Sequence, residues 1–212
     1  ARNVRGCRGS GECFTGCRTG AKQSTDVSYV PAAIRRGARV LSSVRVEGIL
    51  GSGRRATGVR GHVVEPFTGK ASHEVEILAD HVVLAAGCMA TPVLMMRSGI
   101  GLESGHVGEH LRAHPGLAVC GLFEHKVDPW VGATQGYHSL HFLKEGMKLE
   151  VLWAPPAIIS VRFPGFGQEL KDHLLAFERS APFDVFVTAE HSRGRVRPSP
   201  LGGLDPDIPF DI

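Results

Sequence analysis

The stretch DHVVLAAGCMATPVLMMRSGIG, residues 80–101, constrains this chain more than any other. Its first part, DHVVLAAG (80–87), is a continuous apolar run, the texture of a strand buried on both faces of a parallel sheet. The next part, TPVLMMRSG (91–99), predicts a helix with Thr91 as N-cap, Pro92 at the first helical position and Gly99 as the stop. Ligands in α/β folds sit at the carboxyl ends of parallel strands, where such a strand turns into a helix. Small residues at the turn let a ligand approach the backbone, and the first amides of the helix are free to face an anion. A tight turn made small for packing alone explains the same residues, so both readings stand on local chemistry.

The rest of the chain supplies the frame. TDVSYVPAAIRRG (25–37) predicts a short helix, capped by Thr25 or Asp26 and shortened or kinked by Pro31. Three β-type segments follow at 38–50, 56–66 and 73–78, joined by the turns GSGRR and FTGK, and read as an antiparallel meander. Gly51-Ser-Gly53-Arg-Arg-Ala56 formally fits GxGxxA, but the segment after it is a strand and not the helix a phosphate loop needs. Beyond residue 108 the texture becomes β segments at 116–125, 137–143, 147–154 and 183–192, interrupted by a helix at 168–180. Ser192-Arg-Gly194 reads as a hairpin turn. With GHVGEHLRAHP as the crossover, the expected domains are 1–110 and 111–212.

Composition narrows the function classes. At 42% hydrophobic and 21% charged residues the chain can bury a soluble core. Much of the net charge of +3 lies near the start (Arg2, Arg5, Arg8, Arg18 and Lys22), where Phe14 is the lone aromatic. That pattern reads as a solvated or phosphate-facing loop, so no nucleic-acid partner is expected. No run reaches transmembrane length and no secretory signal is visible, so a cytoplasmic location and no integral membrane segment are expected. The opening Ala1 and the closing DPDIPFDI read as cut ends of a longer protein. Five cysteines without an export signal argue against a disulfide framework. Cys7, Cys13 and Cys17 have the spacing C-x5-C-x3-C, without a fourth ligand or the usual C-x2-C pairs. Loop cysteines or a local Cys13–Cys17 pairing are the simpler reading; a non-catalytic metal-binding or interaction module is the alternative. The histidines show no HExxH spacing and there is no GxSxG elbow, which leaves a hydrolase unsupported.

Residues 87–101 carry one further signal. Gly87-Cys88-Met89-Ala90-Thr91-Pro92-Val93-Leu94-Met95-Met96-Arg97-Ser98-Gly99-Ile100-Gly101 resembles a signature of the glucose–methanol–choline (GMC) oxidoreductases, which are FAD-dependent. Every constrained position fits except Cys88, which stands where the pattern has a smaller residue. GECFTGCRTGAKQSTDVSYVPAA (11–33), VGEHLRAHP (107–115), LWAPPAIISVRFPGFG (152–167) and SRGRVRPSP (192–200) resemble the bacterial branch of that family, with its cholesterol oxidase and long-chain alcohol oxidase relatives.

The resemblance implies an α/β and α+β architecture. A partial Rossmann-like FAD-binding domain with an inserted meander would precede an antiparallel-sheet substrate domain with helices. It implies that the Val46 backbone meets the adenine of FAD, and that Ala86 and Gly87 lie against the adenosine or pyrophosphate. The family's GxGxxG loop and its catalytic His with a His or Asn partner match nothing in this chain, whose sole asparagine is Asn3. No catalytic residue is therefore expected here, and the isolated chain should bind FAD weakly or not at all and show no turnover. The implied reaction oxidises a small-molecule alcohol or sterol to a carbonyl, with hydride passing to flavin and oxygen, a quinone or a carrier as the final acceptor.

Overall fold

The computed structural model describes residues 3–132, 136–202 and 206–211. In chain order the first elements are α1 (Tyr29–Arg35), β1 (Val44–Ser52), β2 (Arg55–Val64), β3 (Ala71–Leu78), α2 (Gly87–Ser98) and β4 (Gly116–Leu122). Then come β5 (His138–Ser139), β6 (Met147–Glu150), α3 (Pro156–Ile159), α4 (Gln168–Ala176) and β7 (Ser180–Val187). Four two-residue strands close the chain: β8 (Arg193–Gly194), β9 (Arg197–Pro198), β10 (Pro206–Asp207) and β11 (Phe210–Asp211). Contacts group the chain into two compact units. The chain up to Ala38 goes with His114–Thr188, and Arg39–Ala113 goes with the chain from Ala189. These contact units are discontinuous in sequence.

The unit containing Arg39–Ala113 is built on the meander. β1, β2 and β3 pair antiparallel in sequence order, and Ser52 faces Arg55 across the hairpin turn that the GxGxxA string forms. Val46 lies opposite Gly61 and Gly48 opposite Arg60, so Glu47 has no partner and forms a bulge, which bends and twists the strand. Its carboxylate lies 3.0 Å from Nδ1 of His62. At the β2–β3 turn the Glu65 carboxylate accepts the N–H groups of Thr68 (2.5 Å) and Phe67 (3.0 Å). Hydrogen bonds from Thr68 and then Phe67 hold that carboxyl below its ordinary range.

Helix α2 packs on β1. Leu94 joins Ile49 and Ile100 in a buried cluster, with Val46, Ala56, Leu84 and Met95 against it. Each fully buried side chain of this kind contributes about 1.5–3 kcal/mol. The Ser98 hydroxyl pins the helix end to the strand: it accepts the Ile49 N–H at 2.8 Å and donates to the Leu94 carbonyl at 2.7 Å. Gly99 ends the helix in the left-handed conformation, as its position in the sequence predicts.

Three local expectations fail. Residues 80–86 form no strand, and Val83 is 88% exposed. A strand exists only through the ladder of its neighbours, and none of the described strands pairs with this segment. α2 begins at Gly87, so Pro92 is interior and deprives the Cys88 carbonyl of an N–H, while Thr91 is not the cap. Its Oγ1 instead accepts the Ala86 N–H at 3.1 Å. Ser192–Gly194 is no hairpin turn: β8 pairs with β11, and Gly194 and Leu111 exchange N–H···O bonds of 2.8 and 2.9 Å.

The other unit holds an antiparallel sheet in the order β4-β7-β6-β5. The expected strand at 137–143 shrinks to β5, because the chain then turns into a 3-10 helix at Leu143–Glu145. Its core is aromatic. Phe177 is fully buried, stacked on Trp130 with centroids 5.4 Å apart and edge-on to Phe163 at 5.6 Å. The N-terminal loop closes on itself and docks here. Arg5 N–H donates to the Ala21 carbonyl (2.8 Å), and Gly132 N–H donates to the Gly9 carbonyl (2.7 Å).

Candidate functional site

The start of α2 forms one wall of an open cleft of about 660 Å³, with Gly87, Cys88 and Thr91 among its lining. Gly87 has φ +86°, and nothing stands within 4 Å of the position a Cβ would take. The glycine therefore answers to a left-handed backbone and to open space in front of it, and to no protein neighbour. An L-residue in that conformation costs about 1–2 kcal/mol. The first amides of the helix have no carbonyl partner inside it, and they carry the positive end of its dipole.

The facing wall is the loop Val107–Arg112 together with Val196. Backbone bonds clamp it: Val196 N–H donates to the Gly108 carbonyl at 2.7 Å, beside the Leu111–Gly194 pair. His110 sits at φ +64°, a region that histidine tolerates better than most residues, with Nε2 3.3 Å from Nδ1 of His106. Glu109 is paired with Arg195 at 3.3 Å, while Arg112 is exposed on the lining. A cation and free helix amides lining one cleft suit an anionic group such as a phosphate.

The three residues singled out from the sequence are placed differently. Gly87 lines the cleft. Ala86 precedes it, exposed, with its N–H held by Thr91. Val46 is half-buried on β1 and packs on the Ile49–Leu94–Ile100 cluster, as does Leu84 just ahead of the turn. One core thus joins the strand to the turn. Among the described strands β1 has β2 along one edge only, so backbone groups along its other edge are not taken up by any of them. The fit with β2 is tight at this point: a Cβ on Gly61 would lie 1.9 Å from the Arg45 carbonyl oxygen. Sequence reading missed His110, Arg112 and Val196 as cleft residues. The adjoining crossover motif was visible, but its return to 194–196 is a long-range pairing with no local signature.

The cysteines make no site. All five are free thiols, so the Cys13–Cys17 pairing is not formed. Among the described residues no three His, Cys, Asp or Glu side chains come together to hold a metal. The metal-module alternative built on Cys7, Cys13 and Cys17 therefore lacks a ligand set. The Cys17 thiol is held below its ordinary value by the Lys22 N–H, 3.3 Å from Sγ, and next by Thr19. Among the described residues no helix is long and apolar enough to cross a membrane.

Residues 1–116, just over half of the 212, match the family model described as GMC oxidoreductase. The chain belongs to the GMC oxidoreductase family. It is 38% identical over 200 residues to an uncharacterized GMC-type oxidoreductase of Mycobacterium tuberculosis, covering 92% of this chain and 30% of that protein. It is 28% identical over 194 residues to a long-chain-alcohol oxidase of Arabidopsis thaliana, covering 84% of this chain and 25% of that one. The fold is shared with an FAD-dependent oxidoreductase from Chaetomium thermophilum at a TM-score of 0.52 and 18% identity, over 89% of this chain and 43% of that chain. The chain thus spans about 30% of the length of the mycobacterial relative. The mixed α/β fold with antiparallel sheets and FAD as cofactor agree with the family and this neighbour.

Proposed function

We propose that this chain supplies one side of an FAD site in an oxidoreductase that oxidises the CH–OH group of a small-molecule alcohol to a carbonyl. The observation that carries the reading is Gly87: left-handed, open in front, and set at the free end of α2 in a cleft that Arg112 also lines. A Cβ would fill the space there, so the residues fit a dinucleotide lying against the backbone. In this reading the Val46 backbone meets the adenine, and Ala86 and Gly87 lie against the adenosine or pyrophosphate. Residues 1–110 are part of the FAD-binding domain and 111–212 part of the substrate-binding domain. Bound FAD supplies the hydride acceptor. This chain's own residues bind and orient it, and none of them is assigned as the base.

The long-chain alcohol side of the family is supported by the similarity to the Arabidopsis long-chain-alcohol oxidase. The final electron acceptor is oxygen, a quinone or a carrier. Titrating the purified chain with FAD, followed by flavin absorbance and anaerobic addition of a long-chain alcohol, tests the reading. Weak binding without bleaching is expected, lost in Gly87→Val. Tight binding with alcohol-dependent bleaching would overturn the one-sided reading, and unchanged binding in Gly87→Val would overturn the placement.

A further inference from the structure

The loop that walls the cleft beside α2 carries two imidazoles in contact. Gly108 lets the loop turn: it sits at φ +81°, and a Cβ there would lie 2.1 Å from the Val196 carbonyl oxygen. The Glu109 N–H then donates to the His106 carbonyl at 3.0 Å, and His110 follows at φ +64°. This turn brings Nε2 of His110 to 3.3 Å from Nδ1 of His106, with ring centroids 5.3 Å apart. Both histidines are exposed, and His110 belongs to the cleft lining. A left-handed backbone at a residue other than glycine costs free energy, and such positions cluster where a side chain has a task. Among the described residues no third ligand joins the two rings to hold a metal.

The proton count of the pair decides what it can bind. The contact needs one N–H and one lone pair, which two neutral rings supply. Of the two nitrogens left outside the contact, one then carries hydrogen and the other a lone pair. One added proton makes both outer nitrogens donors and gives the pair a positive charge, with the contact intact. The other ionisable side chains on the cleft lining are Cys88, Glu109 and Arg112. Glu109 is already paired with Arg195 at 3.3 Å, and Arg112 adds a permanent cation. We propose that the His106–His110 pair is a proton-dependent anion subsite, which takes a phosphate group at the cleft in its singly protonated state. The identity of that phosphate, as one of the dinucleotide's, rests on the flavin reading; the subsite itself does not. The cleft then holds the dinucleotide more tightly as pH falls through the range in which histidine gains charge.

NMR of the labelled chain at low ionic strength tests this, at about pH 5.5 and about pH 8, either side of the histidine range. Sulfate stands in for phosphate, because its charge is constant over that range, and FAD, whose pyrophosphate charge is also constant, is the second probe. Sulfate is expected to shift both rings and to bind about fivefold more tightly at the lower pH, the effect of one added charge at contact distance in water. All eleven histidines add charge to the chain in acid, so a variant isolates the pair. His106→Gln combined with His110→Asn, since asparagine tolerates the left-handed backbone, should lose most of the pH difference. Arg112→Gln should weaken sulfate at both pH values and keep the difference. Circular dichroism checks each variant's fold. Equal sulfate affinity at the two pH values, silence of both rings under sulfate, or the parent's full pH difference in the folded double variant would overturn the inference. The first two results need no variant. Rings that respond to sulfate in this way while Val46, Ala86 and Gly87 stay silent under FAD would support the subsite and sink the flavin reading. The reverse result would strike the subsite alone.

Discussion

The cleft beside Gly87 and the pocket beside Arg162 are recognition surfaces of opposite construction. The cleft is open and joins apolar side chains such as Met95 and Val107 to polar backbone: a left-handed glycine, free helix amides and a loop clamped by main-chain bonds, with Arg112 as an exposed cation. The pocket lies between β4, β7 and the segment from Ile159 to Phe177, with an aromatic and aliphatic lining, the Arg162–Asp184 ion pair, His173 and Ser180. The first suits a large anionic dinucleotide that needs close approach and many weak donors. The second suits a small, largely apolar molecule. Backbone recognition tolerates changes of side chain but no added Cβ at the contact point. Side-chain recognition fails when one partner of the pair, or the packing beneath it, is removed.

That difference can be broken experimentally. The largest effect is expected from Phe177→Ala. It empties a fully buried site between Trp130 and Phe163 and should cost about 3–5 kcal/mol in urea unfolding read by tryptophan fluorescence. Amide signals of the meander and α2 should hardly move; if they shift as much as those of the β4–β7 sheet, the two surfaces do not rest on separate cores. Next is Gly61→Ala, whose Cβ would strike the Arg45 carbonyl and push β1 off β2 beside Val46. A loss of about 1–3 kcal/mol is expected, with the Val46 amide displaced and the Arg162 pocket unchanged. Gly87→Ala should cost about 1–2 kcal/mol from backbone strain alone, since nothing crowds the side chain. A neutral result by thermal melting would mean that the turn is not left-handed.

The smallest effect concerns pH. The folded-state pKa of Glu65 is lowered, so its contribution to the β2–β3 turn is present above the unfolded carboxylate value of about 4.3. It is lost as pH falls through the lower folded value. Amide exchange at Phe67 and Thr68 should therefore be slower in the parent than in Glu65→Gln at neutral pH, and the two should converge in acid. A difference that persists in strong acid would contradict the carboxylate's role.

How much was legible follows from the same contrast. The meander, the helix that Gly99 stops and the glycine at the turn were all readable, because each depends on residues adjacent in sequence. The fifteen residues 87–101 even carried the family. The strand at 80–86 was misread because apolar texture states a preference, whereas a strand needs partners that the described residues do not supply. Thr91 and Pro92 looked like a helix start, yet Gly87 starts the helix four residues earlier and Thr91 serves Ala86 instead. The Arg162–Asp184 pair was invisible. Its members lie 22 residues apart, on a helical segment and a strand, and only the fold brings them together. Arg112 and His110 stood inside a visible motif, but their place on a cleft wall depends on the pairing of Leu111 with Gly194.

The central claim is that the backbone at Val46, Ala86 and Gly87 faces the adenosine half of a flavin dinucleotide. The most direct measurement is amide NMR of the nitrogen-labelled chain titrated separately with ADP, FAD and riboflavin. The account predicts shifts at Val46, Ala86 and Gly87 with ADP and FAD, and none there with riboflavin. Silence at those three amides under ADP and FAD, or a response to riboflavin equal to that of FAD, would contradict it.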